Sequence, residues 1–224
     1  RLGLGRIKHF LIGAQTEIEA KGIDGVEVYF GRQIAPGSFA WLVPTSPNKA
    51  LAGLITRTDA KSHLQKLLLS PSCRDKIVSQ QPQIRQKAIP LGTLPHIYGD
   101  RIVLVGDAAG QVKPTTGGGI YLGHLGAKLA SEVLKEALRD DSLATDRLSP
   151  YQKKCKAKMG RELSFGYLVR QIYSKLGDRQ IERMFGILDS GGIARALLSS
   201  PDFSFDWHSR LILAGLRYGL FYPW

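Results

Sequence analysis

The stretch that decides the fold is Arg101–Leu129, RIVLVGDAAGQVKPTTGGGIYLGHLGAKL. Arg101-Ile102-Val103-Leu104-Val105 is a continuous apolar run ending in Gly106-Asp107. Such a run suits a buried parallel strand better than an exposed edge. Asp107 then falls at the carboxyl edge of a sheet, where open α/β folds bind ligands. An ionised carboxylate there offers acceptors to hydroxyl groups, such as those of a ribose or ribityl chain. Ala108, Ala109 and Gly110 are small enough to let a flat or extended ligand approach the backbone. Thr115-Thr116-Gly117-Gly118-Gly119 opens a helix predicted over 120–138 from Leu122, Leu125, Leu129, Val133, Leu134 and Leu138. The N–H groups and positive dipole end of that helix suit an anion or a polarised carbonyl. The adjacent glycines remove side chains that would keep a planar ring away. Read by itself, the same string also describes a strand, loop and helix with no ligand.

Upstream, residues 11–20 and 25–34 show partial alternation of Ile, Val, Tyr and Phe, as half-buried strands do. Pro36-Gly37-Ser38 predicts a turn, Phe39–Val43 a short aromatic strand closed by Pro44, and Thr45–Asn48 a second turn. Ala50–Arg57 is the next strand, so these segments read as an antiparallel meander. Asp59 is placed to cap a helix whose Leu64, Leu67 and Leu68 share one face. Ser70-Pro71-Ser72 breaks it, and Ile84–Ile89 returns to the sheet. Pro90, Gly92 and Pro95 mark a crossing between regions.

Downstream, Ser149-Pro150 reads as a helix N-cap and first-turn pair, with the helix reaching Leu176. Gly177-Asp178 starts another helix, Gly191-Gly192 is a break, and 205–221 is a last amphipathic helix. The fold class is mixed, α+β with an α/β piece. An antiparallel β domain with short helices covers 1–98, a strand-loop-helix piece 99–140 and a helical region 141–224.

The 224 residues are 43% hydrophobic and 22% charged, an ordinary globular composition that excludes disorder, collagen and coiled coil. Formal net charge is +12 and the isoelectric point near 9.8, which favours anionic partners. The densest basic stretch is Lys153, Lys154, Lys156, Lys158 and Arg161. No zinc-finger, RRM or helix-turn-helix signature accompanies the charge, so nucleic acid is not the expected partner. No apolar run approaches the roughly 20 residues of a spanning helix. Cys73, expected on a surface loop, and Cys155 form neither a disulfide framework nor a metal site. His9, His63, His96, His124 and His208 lack ligand spacing, so no metal is expected. His124 and Tyr121 lie near the glycines and are weaker candidates for ligand contact. The chain opens on Arg1 with no signal peptide, and a cytoplasmic location is expected, with peripheral membrane attachment as an option.

The string VGDAAGQVKPTTGGGIYLG resembles the second flavin-contacting motif of FAD-dependent oxidoreductases with the aromatic-hydroxylase (group A) fold. Within that group it is most similar to the geranylgeranyl reductase family. A second match is Phe39-Ala40-Trp41-Leu42-Val43-Pro44, which resembles that family's aromatic-x-Trp-x-Phe-Pro substrate motif with Val43 in place of Phe. Phe39 and Trp41 are two apart and project from one face of a strand. The resemblance covers roughly residues 10–140.

The resemblance implies that Asp107 holds the ribityl chain and that Gly117, Gly118 and Gly119 approach the pyrimidine side of the isoalloxazine. Gly106, Ala108, Gly110 and Ile120 complete the implied FAD contacts. Phe39, Trp41 and Pro44 are the implied substrate contacts, beside an isoprenoid chain. The implied activity is reduction of isoprenoid double bonds in a prenyl lipid or prenyl diphosphate, in isoprenoid lipid biosynthesis. The implied cofactor is FAD, with NAD(P)H or ferredoxin as electron donor and no identifiable acid–base residue. The family's G-x-G-x-x-G, which holds the ADP part of FAD, is absent. The chain is therefore expected to be the C-terminal portion of a longer enzyme, poorly soluble and without FAD when alone. A flavin monooxygenase or halogenase is the alternative within the fold, and a non-catalytic membrane-surface module the alternative outside it. Trp207–Trp224, with Arg210, Arg217 and several aromatic residues, suits a membrane interface or a helix packed on the body of the protein.

Overall fold

A computed structural model describes residues 3–78, 83–201 and 203–220. The chain divides into two compact units. One comprises Phe10–Ile89 with Ile172–Phe185, and the other Arg1–His9, Pro90–Gln171 and Gly186–Trp224.

The first unit is built on a five-stranded sheet with strand order β2-β3-β4-β1-β5. The strands are β1 (His9–Glu19), β2 (Glu27–Tyr29), β3 (Ala40–Ser46), β4 (Lys49–Thr56) and β5 (Arg85–Leu91). Only β2, β3 and β4 form the expected meander. β1 does not pair with β2; it lies antiparallel to β4, with Ala14 opposite Leu54 and Gln15 opposite Gly53. Residues 20–26 carry the chain from β1 to the edge strand β2, with β4 and β3 between the two in the sheet.

β3 also runs past Pro44, to Ser46, with an irregularity between Pro44 and Ser46. β2 pairs only with residues 40–42, so Pro44 lies beyond that neighbour, where a missing N–H is tolerated. The period of two puts Ala14, Ile18, Ala40, Leu42, Ala52 and Leu54 on one buried face. α1 (Ala60–Leu69) covers that face with Ala60, Leu64, Leu67 and Leu68, the expected stripe. Asp59 precedes α1 at φ 51 and makes no side-chain cap, contrary to expectation. Ser70 is extended ahead of Pro71 and ends the helix as expected. Cys73 is fully buried in this core, not on a surface loop.

The second unit is mainly helical: α2 (Ile120–Arg139), α3 (Thr145–Tyr173, its last turn in the first unit), α5 (Ile193–Leu198) and α6 (His208–Leu220). α4 (Asp178–Asp189) begins in the first unit. Leu122, Leu129 and Val133 of α2 pack with Leu148, Tyr151, Cys155, Met159 and Leu163 of α3. α3 starts at Thr145, not at Ser149-Pro150. Pro150 sits inside the helix, where it cannot donate to the carbonyl of Asp146. The Ser149 hydroxyl donates to that carbonyl instead, at 2.8 Å.

The run 101–105 is strand over a shorter stretch than expected. Only Ile102–Val103 is strand (β7), paired antiparallel with β6 (Tyr98–Gly99). The Leu104 N–H extends this hairpin to the Ile97 carbonyl at 2.8 Å. Among the described residues no parallel neighbour is present, so residues 102–105 stay half-buried. Of the last expected helix, 205–221, residue 221 lies outside the described residues, as do Tyr222 and Trp224 of the aromatic segment.

Candidate functional site

The site in the second unit grows from the turn that follows β7. Gly106–Ala109 is a 3-10 turn entered at φ 67 by Gly106 and left at φ 73 by Gly110. Both values favour glycine. The Gln111 N–H returns to the Gly106 carbonyl at 3.0 Å. The Gln111 side chain, almost fully buried, accepts the Gly106 N–H at 2.8 Å. Its amide donates to the Tyr151 hydroxyl at 2.9 Å, and that hydroxyl donates to the Leu104 carbonyl at 2.8 Å. Gln111 and Tyr151 thus clamp both sides of the turn that carries Asp107. Burial pushes the Tyr151 phenol up from its usual range, with Cys155 adding to the rise and the Gln111 hydrogen bond opposing it. The Cys155 thiol is likewise pushed up by burial.

The Pro114–Gly119 loop is tied from several directions. The Lys113 N–H donates to the Gly118 carbonyl at 2.9 Å, and the Gly117 N–H to the Lys113 carbonyl at 2.8 Å. Buried Arg170 donates to the carbonyls of Pro114 and Thr115 at 3.2 and 3.3 Å. Lys113 bridges to Asp206 at 2.9 Å, and Thr115 meets His208 Nδ1 at 2.6 Å. Glu162, itself buried, accepts the His208 and Ser209 N–H groups and caps α6.

The sequence-selected residues fall into two groups. Asp107, Ala108 and Ile120 are exposed around the turn and the start of α2, and Gly106, Gly117, Gly118 and Gly119 are half-buried beside them. A side chain on Gly119 would come within 3.0 Å of Asp107 Oδ1, so glycine there lets the carboxylate approach the helix start. Ala109 and Gly110, by contrast, are buried. A Cβ on Gly110 would lie 2.1 Å from the Gly92 carbonyl oxygen, so its small size serves chain packing rather than ligand approach. His124 is exposed on α2. Tyr121 packs edge-on against Trp207, whose indole N–H donates to its hydroxyl at 3.3 Å. Trp207, which precedes α6, also packs against the α2–α3 core. Gln111, Tyr151, Arg170 and Glu162 were not legible as site-builders, because, apart from the local bond of Gln111 to Gly106, their partners lie tens of residues away.

In the other unit, the Phe39 and Trp41 rings lie 5.8 Å apart on the sheet face opposite α1. Trp41 stands opposite Gly53 in register, and a Cβ at 53 would sit 2.4 Å from the indole. The missing side chain lets the indole lie over β4. Pro44, half-buried and in register with buried Ala50, falls on the α1 face of β3 and is not brought together with Phe39 and Trp41 as expected.

The residues around Asp107 fit part of the FAD implied by resemblance. Nothing lies within 4 Å of a would-be Cβ on Gly106, so the space above the turn is open. Asp107 offers acceptors at its edge, and the N–H groups of Ile120, Tyr121 and Leu122 precede the first bond of α2, Gly123 to Gly119. That donor and acceptor set suits a polyhydroxyl chain ending in a polarised carbonyl.

No protein-family model matches the chain. A protein named digeranylgeranylglycerophospholipid reductase 2, from Methanothermobacter thermautotrophicus, is 31% identical over 179 residues, covering 78% of this chain and 46% of its own length. The chain thus spans about half the length of the curated relatives it matches. A geranylgeranyl bacteriochlorophyll reductase-like protein from Thermoplasma acidophilum shares the fold with a TM-score of 0.74 at 20% identity, over 88% of this chain and 53% of that one. A flavin-dependent halogenase from Brevundimonas sp. BAL3 shares it less closely, at 0.55 and 15% identity, over 99% and 46%. The two sequence motifs, the mixed fold and these relatives agree, and the chain belongs to the geranylgeranyl reductase family.

Proposed function

We propose that the chain is part of an FAD-dependent oxidoreductase that reduces isoprenoid double bonds of a prenyl lipid or its diphosphate precursor. The observation that carries this reading is the clamped Gly106–Ala109 turn, which sets the Asp107 carboxylate against the glycine start of α2. The resemblance and the names of the relatives supply the substrate class. FAD, when bound, would supply the hydride equivalent for alkene reduction. Asp107 would hold ribityl hydroxyls, and Gly117, Gly118, Gly119 and Ile120 would admit the pyrimidine edge to the helix N–H groups. Phe39 and Trp41 would wall an apolar chain and exclude water from it, whereas Pro44, on the other face of β3, would act only through the shape of the strand. Gln111 and Tyr151 position the turn without touching the ligand.

The test uses the protein expressed from its complete reading frame. Anaerobic turnover with a digeranylgeranylglycerophospholipid, followed by mass spectrometry, should show hydrogen added to the prenyl chains. Comparing a nicotinamide with a ferredoxin as reductant identifies the donor. Oxygen consumption with an aromatic substrate, and no alkene reduction, would move the reading to the monooxygenase or halogenase class. Absence of flavin from that protein would favour the non-catalytic alternative. Peripheral attachment through α6 is part of the proposal, supported by exposed Arg210 and Leu213, and is tested by co-sedimentation with anionic liposomes. Among the described residues no helix is long and apolar enough to cross a membrane.

A further inference from the structure

The aromatic face of the sheet unit does not stop at the motif. Phe39 is 6.2 Å from Phe30, and Phe30 is 4.9 Å from Phe185 of α4. These spacings make a continuous row, Trp41-Phe39-Phe30-Phe185, at distances where tilted rings attract. At its far end Phe30, Ile34, Ile181 and Phe185 line an open cavity of about 580 Å³. That volume lies within the range of small-molecule sites. Phe185 is 46% exposed, so an apolar ring faces the opening.

The segment from the end of α3 to the start of α4 is held to residues 31–38 by bonds that each pair a side chain with a backbone group. The Arg32 N–H donates to Asp178 at 2.8 Å, and the Arg32 guanidinium donates to the carbonyls of Lys175 and Leu176 at 2.9 and 3.1 Å. Tyr173 donates to the Ser38 carbonyl at 3.1 Å. The cavity is therefore part of the fold of this unit.

Its charged lining is acidic. Asp178 and Glu182 border it, in a protein of net charge +12. A phosphate or diphosphate is repelled by such a rim, whereas a hydrocarbon is indifferent to it.

Resting on the prenyl-substrate reading, we propose that this cavity takes the distal hydrocarbon end of the isoprenoid chain, with Phe30 and Phe185 limiting its length. The row from Trp41 to Phe185 is then the track along which the chain lies, its anionic head directed away from α4.

Photocrosslinking tests this on the full protein. Two geranylgeranyl lipids are used, one with a diazirine at the terminal isoprene and one with it at the headgroup. The terminal label should map to residues 30–34 and 181–185, compete with unlabelled lipid and be lost in Phe185→Glu. Phe185→Trp should shift preference from geranylgeranyl toward geranyl chains by about tenfold, the discrimination a few methylenes provide in a filled pocket. Saturable labelling elsewhere, headgroup labelling of these segments, or unchanged chain preference in Phe185→Trp would overturn the inference and leave the substrate class intact. Absence of saturable labelling by either lipid would overturn the prenyl reading itself, and this inference with it.

Discussion

The Gln111 side-chain amide donates to the Tyr151 hydroxyl at 2.9 Å across 40 positions of chain. Through it a residue of α3 holds the loop that follows β7. Gln111→Leu would leave the Gly106 N–H without its acceptor and the Tyr151 hydroxyl without its donor. The expected loss is about 2 kcal/mol of stability, the usual penalty for an unsatisfied buried group. Urea unfolding measures it, and faster amide exchange at Gly106 localises it. An unchanged exchange rate at Gly106 would sink the clamp.

Tyr151 also predicts a pH dependence. Its phenol is raised above the ordinary 10.0 by burial, so the folded state favours the protonated form. Stability from this group is therefore complete below pH 10 and is lost as pH rises beyond it. Cys155, raised from 9.0 by burial, acts in the same direction from a lower pH. The melting temperature should fall on the alkaline side, and less steeply in Tyr151→Phe than in the parent. Parallel curves would show that Tyr151 contributes nothing. Tyr29, also raised chiefly by burial, titrates in both proteins and cancels in the comparison.

Two glycines of one turn should respond differently to alanine. Gly110 and Gly106 both have positive φ, 73 and 67. Only at Gly110 would the new Cβ strike backbone, 2.1 Å from the Gly92 oxygen. Gly110→Ala is expected to cost about 3 kcal/mol or more, combining strain with overpacking. Gly106→Ala should cost about 1–2 kcal/mol, the price of the left-handed conformation alone. Equal losses in chemical denaturation would contradict the packing argument.

Glu162 caps α6 from a distant helix, with carboxylate oxygens 2.7 Å from the His208 nitrogen and 3.1 Å from that of Ser209. Glu162→Ala should destabilise α6 by about 1–2 kcal/mol, as loss of a good cap does. Limited proteolysis should then cut within 203–210 faster than in the parent. Unchanged cutting would mean that α6 is held by packing alone.

Gly53 supports the indole of Trp41. Gly53→Val should displace the ring and move Trp41 emission toward that of exposed tryptophan, with little change in the far-ultraviolet spectrum. A spectrum identical to the parent would mean that the indole does not rest on β4.

The stripe on α1, the periodicity of α2 and the pairing of Phe39 with Trp41 on one face were all legible in the sequence. Each depends on residues within a few positions of one another, where the periods of helix and strand act. Asp107 at the end of an extended run and the glycine start of α2 were legible for the same reason. Ser149-Pro150 has the local form of a cap, yet α3 starts at Thr145, because the Ser149 hydroxyl takes the place of the bond that Pro150 removes. The apolar run 101–105 was legible as a strand with a preference for burial, but composition does not name its partner, and among the described residues that partner is β6.

By itself, then, the sequence determined the order of elements, their apolar faces and the family-specific strings around Asp107 and Trp41. Tertiary structure alone decided that β1 lies beside β4, that Gln111 meets Tyr151, and that residues 172–185 return to the sheet to place Phe185 beside Phe30. The physical reason is range. Propensity and periodicity act between neighbours, whereas register, buried hydrogen bonds and a shared aromatic row depend on the path of the whole chain.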